Sequence, residues 1–252
     1  MKDFEVIIID NSDEQHVRSL RALITKFRAK KMQIRVIQVD PSKHDCAHNK
    51  QIYGNSFNPA LSQNIGARKA RGDILCLTSP EVINADTNVE IASTIFADGH
   101  SRFILGWIDE RSLSQVGDLS NGITSSSIKA LCVIPGHGAM CRDDNPARPW
   151  LPINYFLGFI RKDDFSRIGG MDEQFMRSIA WEDNFFAHCC EQNGLRATFE
   201  PSIAGIHLSH SRGYQINLEN DNKALWEKLC ISTNRANSGR DWGSEKYIVG
   251  EF

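Results

Sequence analysis

Residues 4–10, FEVIIID, form an apolar run that closes on an acid. A run of that length and composition predicts a strand buried on both faces, the kind a parallel sheet uses. Residues 14–30 follow with Val17, Leu20, Ile24 and Phe27 at helical spacing, and Asn11, Ser12 or Asp13 can cap that helix. Residues 33–39, QIRVIQV, repeat the strand pattern and lead into a second acid, Asp40. Strand, helix and strand in that order predict a β-α-β unit with a right-handed crossover, and so a parallel sheet.

The rest of the chain continues the alternation. Residues 41–57 are polar, with Pro41, His44, His48 and Gly54, and read as a loop. Residues 58–71 predict a helix with Pro59 in its first turn, where a missing N–H costs little, and Gly72 ends it. ILCLT (74–78) predicts a third strand, broken by Ser79-Pro80-Glu81. A helix over 87–98 and a strand over 103–108 come next. Residues 109–150 lack periodicity, and a loop of that length is a binding element or a lid. A strand over 155–160, helices over 162–168 and 181–193, a strand over 198–211 and a helix over 217–232 complete the reading. The expected fold is α/β: a single Rossmann-like domain whose mostly parallel central sheet is flanked by helices.

Charge and cysteines narrow the function classes. A net charge of −2 and a pI near 6.4 provide no strong basic field for non-specific nucleic-acid binding. The run Lys26 to Lys31 reads as a solvated helix end. Seven cysteines, an odd number with no CxxC pair, point to a reducing, cytoplasmic setting. Cys76 and Cys132 lie in apolar runs, as buried free thiols do. No signal peptide is visible and no stretch approaches the ~20 apolar residues of a membrane span, although peripheral membrane contact stays open.

Asp10, Asp40 and Glu81 all fall at strand ends, and open α/β sheets bind ligands outside the carboxyl ends of their strands. One such acid is a helix cap; three together suggest a shared site. Two readings of Glu81 are open: a carboxylate for a hard divalent cation that bridges phosphates, or part of a helix-initiating Ser-Pro-Glu turn. His207 and His210 form an HxxH in GIHLSHSR. On a strand they point to opposite faces, so they act together only if the chain turns between them. Each is either a plain hydrogen-bonded histidine or one that completes a cation site with Glu81. HExxH, P-loop and GxGxxG motifs are missing. Trp181-Glu182-Asp183 heads a helix. Acids there favour the helix dipole by ~0.3–1 kcal/mol. They also suit a general base beside a bound hydroxyl, with Trp181 as a flat platform for a sugar ring.

In this order the stretches EVIIIDNSDE, FNPALSQNIGARKARGDILCLTSPEVI, FLGFIRKDDFSRIGGMDEQFMRSIAWEDNFF and HLSHSR resemble nucleotide-sugar glycosyltransferases of the GT-A fold. The likeness is to the family 2 type, with a galactosyltransferase-like acceptor segment, and covers roughly residues 4–212. It implies transfer of a sugar from a nucleotide-diphosphate sugar to a hydroxyl acceptor, inverting and metal-assisted. The acceptor would be a glycan or a lipid-linked sugar, with DNA set behind both by the acidic pI. In the resemblance, residues 1–100 form the donor half, 101–215 the acceptor and catalytic half, and 216–252 a C-terminal helix and tail. Glu81 takes the place of the last acid of the Asp-x-Asp motif, which binds Mn2+ or Mg2+ on the donor diphosphate. Ser79 stands where the first acid would be. Asp183 matches the catalytic base, with Glu182 and Trp181 holding the acceptor. His210 matches the metal-binding histidine, with His207 as alternate. Asp10, Asp40 and Asn64 match donor-binding positions.

The N-terminus departs from the family. The usual first strand ends in Pro-Thr-x-Asn-Arg; here Asp10-Asn11-Ser12 looks more like the end of the second. Deleting a central strand would expose a row of unpaired backbone groups, so FEVIIID is taken as strand one and QIRVIQV as strand two. Other classes stay in view. One is a sugar- or nucleotide-binding module with a degenerate site, and another a glycosyltransferase of modified DNA bases. A nucleotidyltransferase would carry a glycine-rich basic loop, which IDNSDEQ lacks.

Overall fold

The computed structural model describes the chain apart from residues 1–3, 12–13, 29–32, 41–58, 113–115, 117–156, 178–179, 196 and 210–218. The chain divides into two compact units. One holds residues 1–72, 169–182 and 214–252, the other residues 73–168 and 183–213.

In the first unit β1 (Glu5–Asp10) and β2 (Gln33–Val39) run parallel, in register from Glu5 opposite Gln33 to Asp10 opposite Gln38. Helix α1 (Glu14–Arg28) joins them, as the periodicity predicts. Alternation then explains the apolar runs. Ile34 and Val36, with Val6 and Ile8, pack with Ile24 of α1. Ile37 and Val39, with Ile7 and Ile9, pack with Leu61 and Ile65 of α2 (Pro59–Lys69). Both faces are covered, and each fully buried aliphatic side chain contributes about 1.5–3 kcal/mol.

A strand not expected from the sequence completes this sheet. The last strand of the chain, Ile248–Glu251, pairs antiparallel with β2, with a register shift at Gln38/Val39. The sheet order is β1, β2, and this C-terminal strand. Four residues containing a glycine carry too little pattern to announce a strand; the free edge of β2 supplies the partner.

The second unit is built on β3 (Ile74–Thr78), β4 (Val82–Asn84), β5 (Phe103–Arg111), β6 (Leu157–Arg161) and β7 (Ala197–Leu208), in the order β3-β6-β5-β7-β4. The C-terminal strand above is therefore β8. Helices α3 (Asn88–Ile95), α4 (Lys162–Arg167) and α5 (Glu182–Gln192) belong to this stretch of sequence, and α6 (Glu219–Ser232) follows in the first unit. Val82, Phe96, Ile104, Ile108, Leu157, Phe159 and Ile203 make one core cluster. Phe186 of α5 meets the Phe103 ring edge-on at 5.5 Å.

Here the mostly parallel sheet expected from the sequence is corrected: the described strands form two mixed sheets. Only β5 and β7 pair parallel in the five-stranded one. Apolar runs report burial, not direction; direction is set by which distant strand each one meets. Cys76 is likewise exposed rather than buried, because β3 turns it to its open face. Cys132 and the 41–57 loop lie outside the described residues, as does 109–150 apart from 109–112 and 116.

Candidate functional site

Two strand-end acids of the first unit fall at the same edge of its sheet. Asp10 is the last residue of β1 and Asp40 follows β2, so both stand at the carboxyl end of adjacent parallel strands. Asp10 is buried. The Asp40 N–H donates to the Tyr247 carbonyl at 2.9 Å, which ties that strand end to the C-terminal segment.

Asn64 is buried completely within α2, and its amide is committed. Nδ2 donates to the Met171 carbonyl and to Glu173 Oε1, both at 2.8 Å, and Oδ1 accepts the Met171 N–H at 2.8 Å. This asparagine thus reads the Gly169-Gly170-Met171-Asp172-Glu173 turn. Gly169 and Gly170 have φ of 91° and 71°, where other residues are strained. A Cβ on Gly170 would also stand 2.5 Å from Asn64 Oδ1.

Two further buried asparagines, not foreseen from the sequence, hold the same segment. Asn237 Nδ2 donates to the Gly169 and Met171 carbonyls at 2.9 and 2.7 Å, and its backbone N–H to Asp172 Oδ2 at 2.8 Å. Asn222 of α6 donates from Nδ2 to the Phe175 and Ala180 carbonyls at 2.9 and 2.8 Å. No local pattern marks either residue; each lies more than 40 positions from what it binds.

Ala180 and Trp181 follow with φ of 63° and 72°. Two successive non-glycine residues in the left-handed region cost about 1–3 kcal/mol each. The Trp181 ring lies 5.0 Å from the Trp226 ring of α6, and Lys223 Nζ stands 5.9 Å from the Trp181 ring centroid. Trp181 and Glu182 are half-buried. Burial raises the Glu182 carboxyl above its ordinary value.

In the second unit, Glu81 ends the turn after β3. Ser79, in the place of the first motif acid, donates its hydroxyl to the Glu81 carboxylate. The Glu81 carbonyl accepts the Leu208 N–H at 2.9 Å, which extends the β4–β7 ladder by one residue. His207 pairs with Val82 on that ladder and is buried. His207 thus stands one rung from Glu81, opposite the first residue of β4. His210 lies outside the described residues. Among the described residues no group of three or more His, Cys, Asp or Glu is placed to hold a metal ion. Trp107 packs on Phe199, with ring centroids 5.7 Å apart, and against Ala204 and Ile206.

Asp183 is half-buried in the first turn of α5, and its Oδ1 accepts the Asn184 N–H at 2.8 Å. That bond satisfies one of the donors a helix start leaves over. Behind it, Phe185, Phe186, Ala187, Cys189 and Cys190 are buried, which anchors the helix through its apolar face.

The fold has known counterparts. TarS 1-349 of S. aureus in complex with UDP-GlcNAc is similar with a TM-score of 0.53 and 15% identity, over 83% of this chain and 50% of that one. GalNAc-T7 with UDP, GalNAc and Mn2+ is similar with a TM-score of 0.53 and 15% identity, over 84% of this chain and 39% of that one. The chain therefore spans half the length of these structures or less. No protein-family model matches the chain, and no curated protein matches it. At these identities the likeness establishes the α/β fold of the GT-A structures and nothing finer.

Proposed function

We propose that the protein is a glycosyltransferase that moves a sugar from a nucleotide-diphosphate sugar to a hydroxyl acceptor with inversion. The observation that carries this reading is the fold shared with structures that bind UDP-GlcNAc or UDP. The acid pair at the head of α5 agrees with it. Asp183 would take the proton of the acceptor hydroxyl as it attacks the anomeric carbon. Glu182 and Trp181 would hold the acceptor, a glycan or a lipid-linked sugar. Asp10 and Asp40 would hold the donor.

A divalent ion, Mn2+ or Mg2+, would be held by Glu81 with His210 and would supply positive charge at the diphosphate. The described part of that set is a single carboxylate, Glu81 bonded to Ser79. Among the described residues Cys76, Cys189, Cys190 and Cys230 are thiols outside any disulfide. Among the described residues no helix is long and apolar enough to cross a membrane.

The test is a donor screen with UDP-, GDP- and TDP-sugars, read by released nucleotide with and without added sugar acceptors. Acceptor-dependent release supports the reading. Ser79 in place of the first motif acid favours one rival, a binding module with a degenerate site. Such a module binds donor and releases nothing.

A further inference from the structure

Three buried asparagines from three separate parts of the first unit do the same thing. Asn64, Asn222 and Asn237 are each 3% exposed or less. Each spends both hydrogens of its amide on two acceptors within residues 169–180. Within the described part of that segment, the short 3-10 turn Glu173–Arg177 and the bonds from Gln174 to the Asp172 carboxylate are local. Carbonyls buried there without partners would be costly, and neutral amides satisfy them without adding charge.

Asn222 differs from the other two in what it holds. Asn64 and Asn237 fasten the glycine turn. Asn222 fastens Ala180, the first of the two left-handed residues, and its helix also supplies Trp226 and Lys223 to the Trp181 ring. Strained backbone persists only where its surroundings over-determine it. Here one helix supplies a bond to the strained backbone and a ring against the next side chain.

We infer that Asn222 is a positioning residue: α6 holds Ala180 and Trp181 in their left-handed conformation, and so presents Trp181 and Glu182 to the acceptor in a shape fixed before it binds. This rests on the glycosyltransferase reading for the acceptor, but not for the geometry. A group pre-set in this way keeps its effect on transfer without touching the substrate. Asn237 and Asn64 serve the turn behind it and are not expected to separate acceptor from donor.

The experiment uses the full chain with Asn222→Ala and Asn222→Asp. Asp keeps the shape of the side chain and lacks its two donors. Transfer is measured with donor and acceptor varied in turn. The exciton circular dichroism of the Trp181–Trp226 pair, identified by its absence in Trp226→Phe, is measured alongside. Both Asn222 variants are expected to lose about 10–100-fold in kcat/KM for the acceptor, with the donor KM changed by less than about twofold. The couplet is expected to vanish in both. Wild-type transfer in Asn222→Asp, an equal loss on the donor and acceptor sides, or an intact couplet overturns the inference.

If Asn222→Ala fails to fold, Ala180→Gly replaces it. That change relieves the strain, keeps Asn222 and frees the backbone. It is expected to fold and to lose about tenfold on the acceptor side, and unchanged transfer would overturn the inference. If the wild-type protein transfers no sugar from any donor, the proposed function fails instead. The couplet in Asn222→Asp then decides the geometry alone: its loss supports the positioning role and its retention overturns it.

Discussion

Glu81 and the pair Glu182-Asp183 are both acids at the edge of a regular element, yet they are held by opposite means. Glu81 is fixed locally, by a hydroxyl two residues away and by one more rung of the β4–β7 ladder. Trp181 and Glu182 are reached through a segment that depends on side chains from far along the chain. A ladder carries its own hydrogen bonds and tolerates change in side chains. A segment held by amides fails when one amide is lost. The position of Glu81 therefore depends on its neighbours in sequence, and that of Trp181 and Glu182 on side chains far along the chain.

The largest effect expected from this contrast is in Asp183→Asn, which should lower acceptor-dependent transfer by about 10²–10⁴-fold, the range of a general base. Near wild-type transfer in steady-state assays would remove Asp183 from that role. Next comes Glu81→Gln, expected to cost on the order of a hundredfold in kcat if its carboxylate serves the leaving diphosphate. Chelation with EDTA should lower wild-type transfer to a similar degree; full activity under EDTA would return Glu81 to a turn residue paired with Ser79.

Smaller still is Asn64→Ala. It should destabilise the fold by about 1–3 kcal/mol, because it removes the buried bonds that its amide makes to Met171 and Glu173. Denaturant midpoints measure this. A loss of donor affinity at unchanged stability would instead make Asn64 the donor contact that the resemblance implies. The smallest effect is in Glu182→Gln. Burial raises this carboxyl above its ordinary value of 4.5. In the window between the unfolded and folded values the native state holds the extra proton, so stability is greatest below that window and falls as pH rises through it. The glutamine variant should lose this part of the slope in urea midpoints taken across a pH series. An unchanged slope would mean that Glu182 is solvated like any surface acid.

Much of this was legible in the residues. FEVIIID, QIRVIQV and ILCLT mark β1, β2 and β3, apolar spacing marks α1 and α6, and Pro59 and Gly72 bracket α2, because periodicity and composition are local signals. Trp181-Glu182-Asp183 stood out as one acid and one indole more than a helix cap requires. Asn222 and Asn237 did not stand out, since an asparagine in a helix or loop has no pattern that names its partner. β8 was missed for a similar reason: its four residues become a strand only beside β2.

By itself, then, the sequence determined that the chain is α/β, where its main strands and helices lie, and which acids gather at strand and helix ends. Those depend on side-chain period and capping, which act over a few residues. Only the tertiary structure decided that the sheets are mixed, that His207 pairs with Val82 beside Glu81, that Asn64 is spent on the glycine turn, and that α6 grips the residues before Glu182. These are pairings between residues far apart in the chain, and such pairings are chosen by the burial and hydrogen-bond balance of the whole unit rather than by any one stretch of it.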